Sequence, residues 1–274
     1  MTSTNTDLNS IAGHAGDSLL GAADLQRRFG GLERLYGLDG AGRIRAAHVA
    51  VVGIGGVGSW TAEALARSGV AALTLIDLDN VAESNINRQI HALTDTVGMA
   101  KVDAMRARIA QINPLCRVNC IEDFVEPDNW PAILPNGVDA VIDACDQIKA
   151  KLAMAQWARR YKRLFISVGA AGGKRLAHKV EIDDVSQATH DPLLAQLRYR
   201  LRKEFNAPKE GKKIGVTTVF SREAVAQPDA SCQIAGTDGT LNCAGYGSVV
   251  SVTATFGQCA AGWILDEIAK SSKK

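Results

Sequence analysis

The chain has 274 residues, enough for one large α/β domain or two small ones. With 46% hydrophobic and 22% charged residues it is neither wholly disordered nor fibrous. Its 31 Lys and Arg against 29 Asp and Glu leave a net charge of +2, so a nucleic-acid or membrane partner has to be sought in local patches rather than in the overall charge.

Residues 1–22 are rich in Ser, Thr, Asn and Gly, hold no Lys or Arg and show no sustained period, which reads as a mobile extension ahead of a single domain over 23–274. They contain no apolar run of a signal peptide. The cysteines at 116, 120, 145, 232, 243 and 259 are dispersed through a chain too large to need disulfide staples, so the expected compartment is reducing and cytoplasmic.

Residues 23–47 read as a basic helix. The apolar run HVAVVGIGGVGSW then stops at glycines, TAEALARSGV follows with helical spacing, and ALTLID is a second apolar run. The alternation continues with a helix over Lys101–Ile112, strands at Arg117–Ile121 and VDAVIDA, a helix over Gln147–Tyr161 and a strand at LFISVG. KVEIDDV and GVTTVFS add strands, DPLLAQLRYRLRKEF a charged helix, and SVVSVTATFGQCAAGWILDEIAK a closing helix. Strands alternating with helices predict a Rossmann-like, doubly wound α/β fold, its sheet mainly parallel with added antiparallel strands. The uncharged stretch Gly239–Leu265 is long enough for one membrane span, but its Asn, Gln, Ser, Thr and Gly favour a helix buried under the sheet. The loop between Gln227 and Gly247, with Cys232 and Cys243, is long enough to be functional or mobile.

The chemistry gathers at the carboxyl ends of these strands. Gly53-Ile54-Gly55-Gly56-Val57-Gly58 is a GxGxxG turn between strand and helix, where glycines admit a phosphate to the free amides of the helix N-terminus. Asp77 closes the next strand, placed for a ribose hydroxyl. Alone, this pair suits a nicotinamide dehydrogenase as well as any other nucleotide enzyme. The polar cluster from Asp79 through Asn85, Arg88 and Gln89, with Lys101 opening a helix, points instead to a site that stabilises redistributing negative charge. Asp143 and Asp146 end the strand VIDACD, where a carboxylate is placed to hold Mg²⁺ on phosphates.

The runs HVAVVGIGGVGSW, LTLIDLDNVAESNINRQIH, VGMAKVDAMRARIAQINP and VIDACD, in that order and spacing, resemble the ubiquitin-activating-enzyme-like superfamily of ATP-dependent adenylating enzymes. Within it, RRFGGLERLYG, NRQIHALTDTVGMAK, GVTTVFS and SVTATFG are similar to the bacterial tRNA threonylcarbamoyladenosine dehydratase family. The resemblance implies ATP and Mg²⁺, leaves room for a monovalent cation, and implies a tRNA substrate whose threonine carboxylate is adenylated and then cyclised with loss of water. It implies that Gly53, Gly55, Gly56 and Gly58 line the phosphate loop, that Asp77 and Asp79 serve the ribose side, and that Asn85, Arg88, Gln89 and Lys101 surround the triphosphate. Asp146 would carry the metal and, with Arg88 and Lys101, act in catalysis. Two positions depart from the superfamily pattern: Gly31 stands where an arginine is commonly supplied to a partner's site, leaving Arg28 or Arg34 to substitute, and Gln147 stands where Asn commonly follows the metal-binding Asp.

The resemblance also implies a homodimer. Relatives that activate sulfur-carrier proteins often hold zinc on two CxxC pairs; none occurs here, so no zinc is expected. Cys145 reads as a small buried residue, and the histidines at 14, 48, 91, 178 and 190 as structural. The clusters ARRYKR, RYRLRK and PKEGKK, with Tyr161 and Tyr199, suit either a solvated surface or a tRNA-binding one in which Arg198, Arg200 and Arg202 bind the RNA. Two other functions stay open at this level: adenylation of the C-terminus of a ubiquitin-like sulfur carrier, and a sulfur-relay adaptor that meets a cysteine desulfurase through Cys232.

Overall fold

The computed structural model describes residues 25–209, 211–229, 231 and 246–271. The expected N-terminal extension, Cys232 and Cys243 therefore lie outside the described residues. The elements run α1 (Gly31–Ala46), β1 (His48–Val52), α2 (Gly58–Arg67), β2 (Ala72–Ile76), α3 (Lys101–Ile112), β3 (Arg117–Ile121) and β4 (Ala140–Asp143). They continue with α4 (Ile148–Tyr161), β5 (Leu164–Val168), β6 (Val180–Asp184), α5 (Pro192–Glu204), β7 (Thr217–Ser221) and α6 (Val250–Lys270).

The strands form one seven-stranded sheet in the order β3-β2-β1-β4-β5-β7-β6. Every neighbouring pair is parallel except β6 with β7, whose register sets Val180 opposite Ser221 and Asp184 opposite Thr217. The sheet is thus the expected Rossmann-like one, with its antiparallel addition confined to one edge strand. Because side chains alternate along a strand, Val49 and Val51 face one layer and Ala50 and Val52 the other, and both faces are covered. Buried apolar residues of α2, α3 and α6 fill the first layer, and those of α4 and α5 the second.

Local sequence accounts for several boundaries. Asp191 caps α5 by accepting from the Leu194 amide at 3.0 Å, and Pro192 occupies the first turn, where its missing N–H costs nothing. The predicted basic helix is kinked within α1 at Gly37, whose φ of 71° belongs to the left-handed region. The uncharged C-terminal stretch becomes α6, buried through Val252, Phe256, Ala260, Ala261 and Ile264 against α2 and the sheet. No helix among the described residues is long and apolar enough to cross a membrane.

One polar cluster lies inside the apolar layers. Lys151 on α4 and Asp143 at the end of β4 are both fully buried, with Nζ 2.9 Å from the carboxylate. Lys151 also donates to the Val168 carbonyl at 2.7 Å, and the Ser167 hydroxyl donates to Asp143 at 2.6 Å. Burial opposes the Lys151 charge, but Asp143 outweighs it and holds the pKa above that of an ordinary lysine. Asp143 is therefore not available to a metal, which leaves Asp146 as the carboxylate of the two that is placed for one. Lys151→Met should destabilise the protein by about 3–5 kcal/mol by leaving a buried carboxylate unpaired. The measurement is the urea midpoint, and replacing Asp143 by Leu in the same chain should restore part of the loss.

Candidate functional site

The strand order reverses between β1 and β4, and a parallel sheet with that reversal opens a crevice at the carboxyl ends of its strands. There the chain leaves β1 through Gly53, whose φ is 84° and where a Cβ would press on the Ala144 carbonyl and Cys145 amide at 2.9 Å. Gly58, opening α2, leaves no space for a Cβ beside the Gly53 carbonyl. A Cβ on Gly55, by contrast, would meet no atom within 4 Å and would project into open space. Two glycines thus let the turn form, and the third keeps its surface clear.

A cavity of about 570 Å³ opens above this turn. Gly53, Gly55, Gly56, Asp77, Asp79, Asn85, Arg88, Gln89, Lys101 and Asp146 all line it, so nearly the whole predicted set converges; Gly58 lies behind the wall and shapes the turn. Asp77 accepts from the Ile54 amide at 2.6 Å and the Asp79 amide at 2.9 Å, which ties the end of β2 to the glycine turn. Burial raises its pKa above the ordinary carboxylate value, against the pull of Lys101 and the two amides.

The cations are placed differently from their simplest reading. Lys101 is almost fully buried, with Nζ 2.6 Å from Asp79 and 3.8 Å from Asp77, so it meets an incoming phosphate only by loosening its hold on Asp79. Arg88 donates to the Ser84 carbonyl at 2.8 Å and to Asn87 at 3.0 Å. Its own carbonyl accepts from the Trp60 indole at 3.0 Å. Asn85 spends its side-chain oxygen on the Ala82 amide at 3.0 Å, holding the turn that presents Arg88. The Gln89 side-chain oxygen is buried on the cavity wall without a hydrogen-bond partner. Asp146 is exposed at the mouth.

Several contributors escaped the sequence reading. Thr253 of α6 lines the cavity and hydrogen-bonds the Arg88 carbonyl at 3.4 Å. Gly169, Ala170 and Ala171, after β5, form part of its wall; Asp191 fixes them by accepting from the Ala170 amide at 2.9 Å. Nearby, Lys174 is almost fully buried and donates to the His190 and Glu223 carbonyls at 3.0 and 2.8 Å. The one available signal was position, since the chain after LFISVG had to emerge at the same sheet edge.

The profile of the ThiF family matches residues 27–272. The chain belongs to the ThiF family. Among ThiF-family relatives, the tRNA threonylcarbamoyladenosine dehydratase of Haemophilus influenzae is 43% identical over 247 residues, covering 89% of this chain and 94% of its own length. That of Escherichia coli is 46% identical over 240 residues, covering 85% of this chain and 90% of its own. The crystal structure of the E. coli tRNA N6-threonylcarbamoyladenosine dehydratase in complex with ATP has a TM-score of 0.82 to this chain at 44% identity, over 90% of this chain and 96% of that one. The same enzyme in complex with AMP gives a TM-score of 0.81 at 44% identity and the same coverage.

Arg28 donates to the Ile112 carbonyl at 2.8 Å, and neither it nor the exposed Arg34 lines this chain's own cavity. Cys145 is half-buried on the cavity wall rather than fully buried as expected; it donates to Asp143 at 3.1 Å, and burial together with that carboxylate pushes its thiol pKa well up, which does not suit a nucleophile. Arg198, Arg200 and Arg202, the expected RNA ligands, each also hold an intrachain partner. Arg198 donates to the Val185 and Ala188 carbonyls at 3.0 and 2.8 Å, Arg200 pairs with Glu204 at 2.8 Å, and Arg202 donates to the Pro208 carbonyl at 3.1 Å.

His91 is a structural histidine with a measurable signature. It is 1% exposed with both ring nitrogens unpartnered, and burial, helped by Lys101 and Arg108, brings its pKa down to about 4. The unfolded chain binds this proton near pH 6.5 and the folded chain only near pH 4, so stability falls as pH drops through that window. The loss should approach roughly 3 kcal/mol. His91→Leu should flatten this part of the stability-versus-pH curve, as followed by denaturant unfolding between pH 7 and 4.

Proposed function

We propose that this chain catalyses the ATP-dependent dehydration of threonylcarbamoyladenosine in tRNA through an acyl-adenylate. The supporting observation is that the crevice residues converge on one nucleotide-sized cavity in a chain 44% identical, over nine tenths of its length, to an E. coli dehydratase crystallised with ATP. Binding starts at the glycine turn, where the amides opening α2 meet the phosphates and Asp77 receives the ribose. A carboxylate oxygen of the threonyl group then attacks the α-phosphorus, and pyrophosphate leaves. Arg88 and Lys101 spread the developing charge, with Lys101 transferring part of its hold from Asp79 to phosphate.

The bound acyl group is next attacked by an atom of its own side chain, closing a ring and releasing AMP. An internal nucleophile has an effective molarity of roughly 10⁵–10⁸ M, so no enzyme thioester is required. The cavity's remaining task is to keep water from the adenylate.

Magnesium fits the donor set. It keeps most of its ligands as water and phosphate oxygen and asks the protein for one or two carboxylates. Asp146 supplies one at the mouth, and the unpartnered Gln89 oxygen suits a metal-bound water. When bound, the ion neutralises phosphate charge.

The chain works as a homodimer in this reading. Leu35 and Leu38 of α1, each 73% exposed, provide an apolar face to be covered. The reaction runs in the cytoplasm, where its tRNA substrate is available.

The deciding experiment measures AMP and pyrophosphate release with and without tRNA carrying the threonylcarbamoyl modification, followed by mass analysis of the nucleoside. Stimulation together with loss of one water is expected; ATP turnover indifferent to modified tRNA would overturn the assignment. Asp146→Ala should lower AMP formation by roughly 100-fold. Gly55→Ala should leave the melting temperature unchanged while weakening ATP binding, because its new methyl occupies cavity space rather than protein, and calorimetric titration with ATP would show it.

A further inference from the structure

Along α5, Leu194, Leu197 and Leu201 face the core, which leaves Tyr199 and Lys203 on the outer side. Tyr199 is 60% exposed, and the Lys203 ammonium lies 5.5 Å from its ring centre. Beside the ring runs a groove of about 500 Å³ walled by Tyr199, Arg202, Lys203, Asn206 and Lys209. Its far wall is held by Arg202, which donates to the Pro208 carbonyl at 3.1 Å. The Glu204 carboxylate on this end of the helix is consumed by Arg200. Tyr161, ending the neighbouring α4, repeats the pattern at 58% exposure with Arg160 at 5.5 Å.

We infer that the Tyr199 groove is a docking site for the RNA backbone and an unstacked base of the substrate, apart from the nucleotide that reacts. An exposed ring open to a groove offers a stacking platform to any base, and Lys203 and Lys209 on the groove's wall suit the adjoining phosphates. An acidic peptide would use the lysines and leave the ring without a function. Pro192, the first residue of α5, lines the catalytic cavity. At 1.5 Å per residue the ring lies about 10 Å and Lys203 about 17 Å further along the helix. The groove therefore takes RNA that continues beyond the reacting nucleotide. This inference rests on the tRNA reading above.

The test compares full-length wild-type protein with Tyr199→Ala, Tyr199→Phe and the pair Lys203→Glu with Lys209→Glu, all checked for an unchanged melting temperature. Binding of tRNA is followed by fluorescence anisotropy from 50 to 300 mM salt, turnover by AMP release, and ATP binding by calorimetry. The double variant should raise Kd and KM for tRNA at least tenfold and make the salt slope shallower by about 1.5. Tyr199→Ala should raise Kd by roughly 5- to 100-fold and Tyr199→Phe should retain wild-type binding. In every variant kcat should stay within twofold and ATP affinity unchanged. A short oligonucleotide carrying only the reacting nucleotide and its immediate neighbours should not distinguish the variants from wild type. Wild-type Kd and salt slope in all variants would overturn the groove while leaving the dehydratase assignment intact. Tight tRNA binding that the variants weaken, with no turnover, would keep the groove and overturn the reaction, and no binding of tRNA by wild type would overturn both.

Discussion

The ion pair between Lys151 and Asp143 sets the depth at which the rest of the site is built. It joins α4 to the end of β4, and through Ser167 and the Val168 carbonyl it also fastens β5. Three elements are thereby locked just beneath the crevice, so the chain that continues from them emerges at fixed heights. Asp146 leaves β4 three residues beyond Asp143, and Gly169 to Ala171 leave β5 directly after Val168. Such a pair is expensive to bury and contributes little net stability compared with apolar residues of equal volume. Its value here is positional, since an apolar substitute would not dictate where two strand ends stop.

Above that floor the cavity is nearly self-neutralised. Lys101 is shared between Asp77 and Asp79, and Arg88 is steadied by main-chain and amide oxygens. Charges held this way cost less to keep buried than isolated ones, and they are already oriented when a polyanion arrives. The neighbouring glycines make the complementary contribution by letting backbone amides approach where side chains would obstruct.

The architecture was legible because its signals are local. β-branched runs ending in glycine, followed by helical spacing, placed β1, α2, β2 and α3 closely, and Arg117–Ile121 emerged with the same bounds. The GxGxxG turn, Asp77 and the polar run to Lys101 converge because a parallel sheet brings successive strand ends to one edge. Contacts between distant segments were not legible. Asp143 looks like Asp146 in a string of letters, and only the fold shows that Lys151, in the first turn of α4, reaches back to occupy it. Arg198 and Arg202 resembled a solvated basic face until the carbonyls of Val185, Ala188 and Pro208 were seen to hold them. Thr253 lies in the segment SVTATFG, but nothing in those letters places it at the site, which it reaches from a helix 165 residues after Arg88.

That last contact bears on how the protein is made. α6 packs on α1 and α2, Arg43 of α1 donates to the Ala269 carbonyl at 3.0 Å, and Thr253 braces the carbonyl of Arg88. The nucleotide crevice is therefore finished by α6, although its glycine turn, Asp77 and the polar run to Lys101 all lie in the first half of the chain. Domains fold as units during synthesis, and here the unit closes only at the end. A nascent chain halted before α6 would carry the whole glycine motif yet lack the brace behind Arg88.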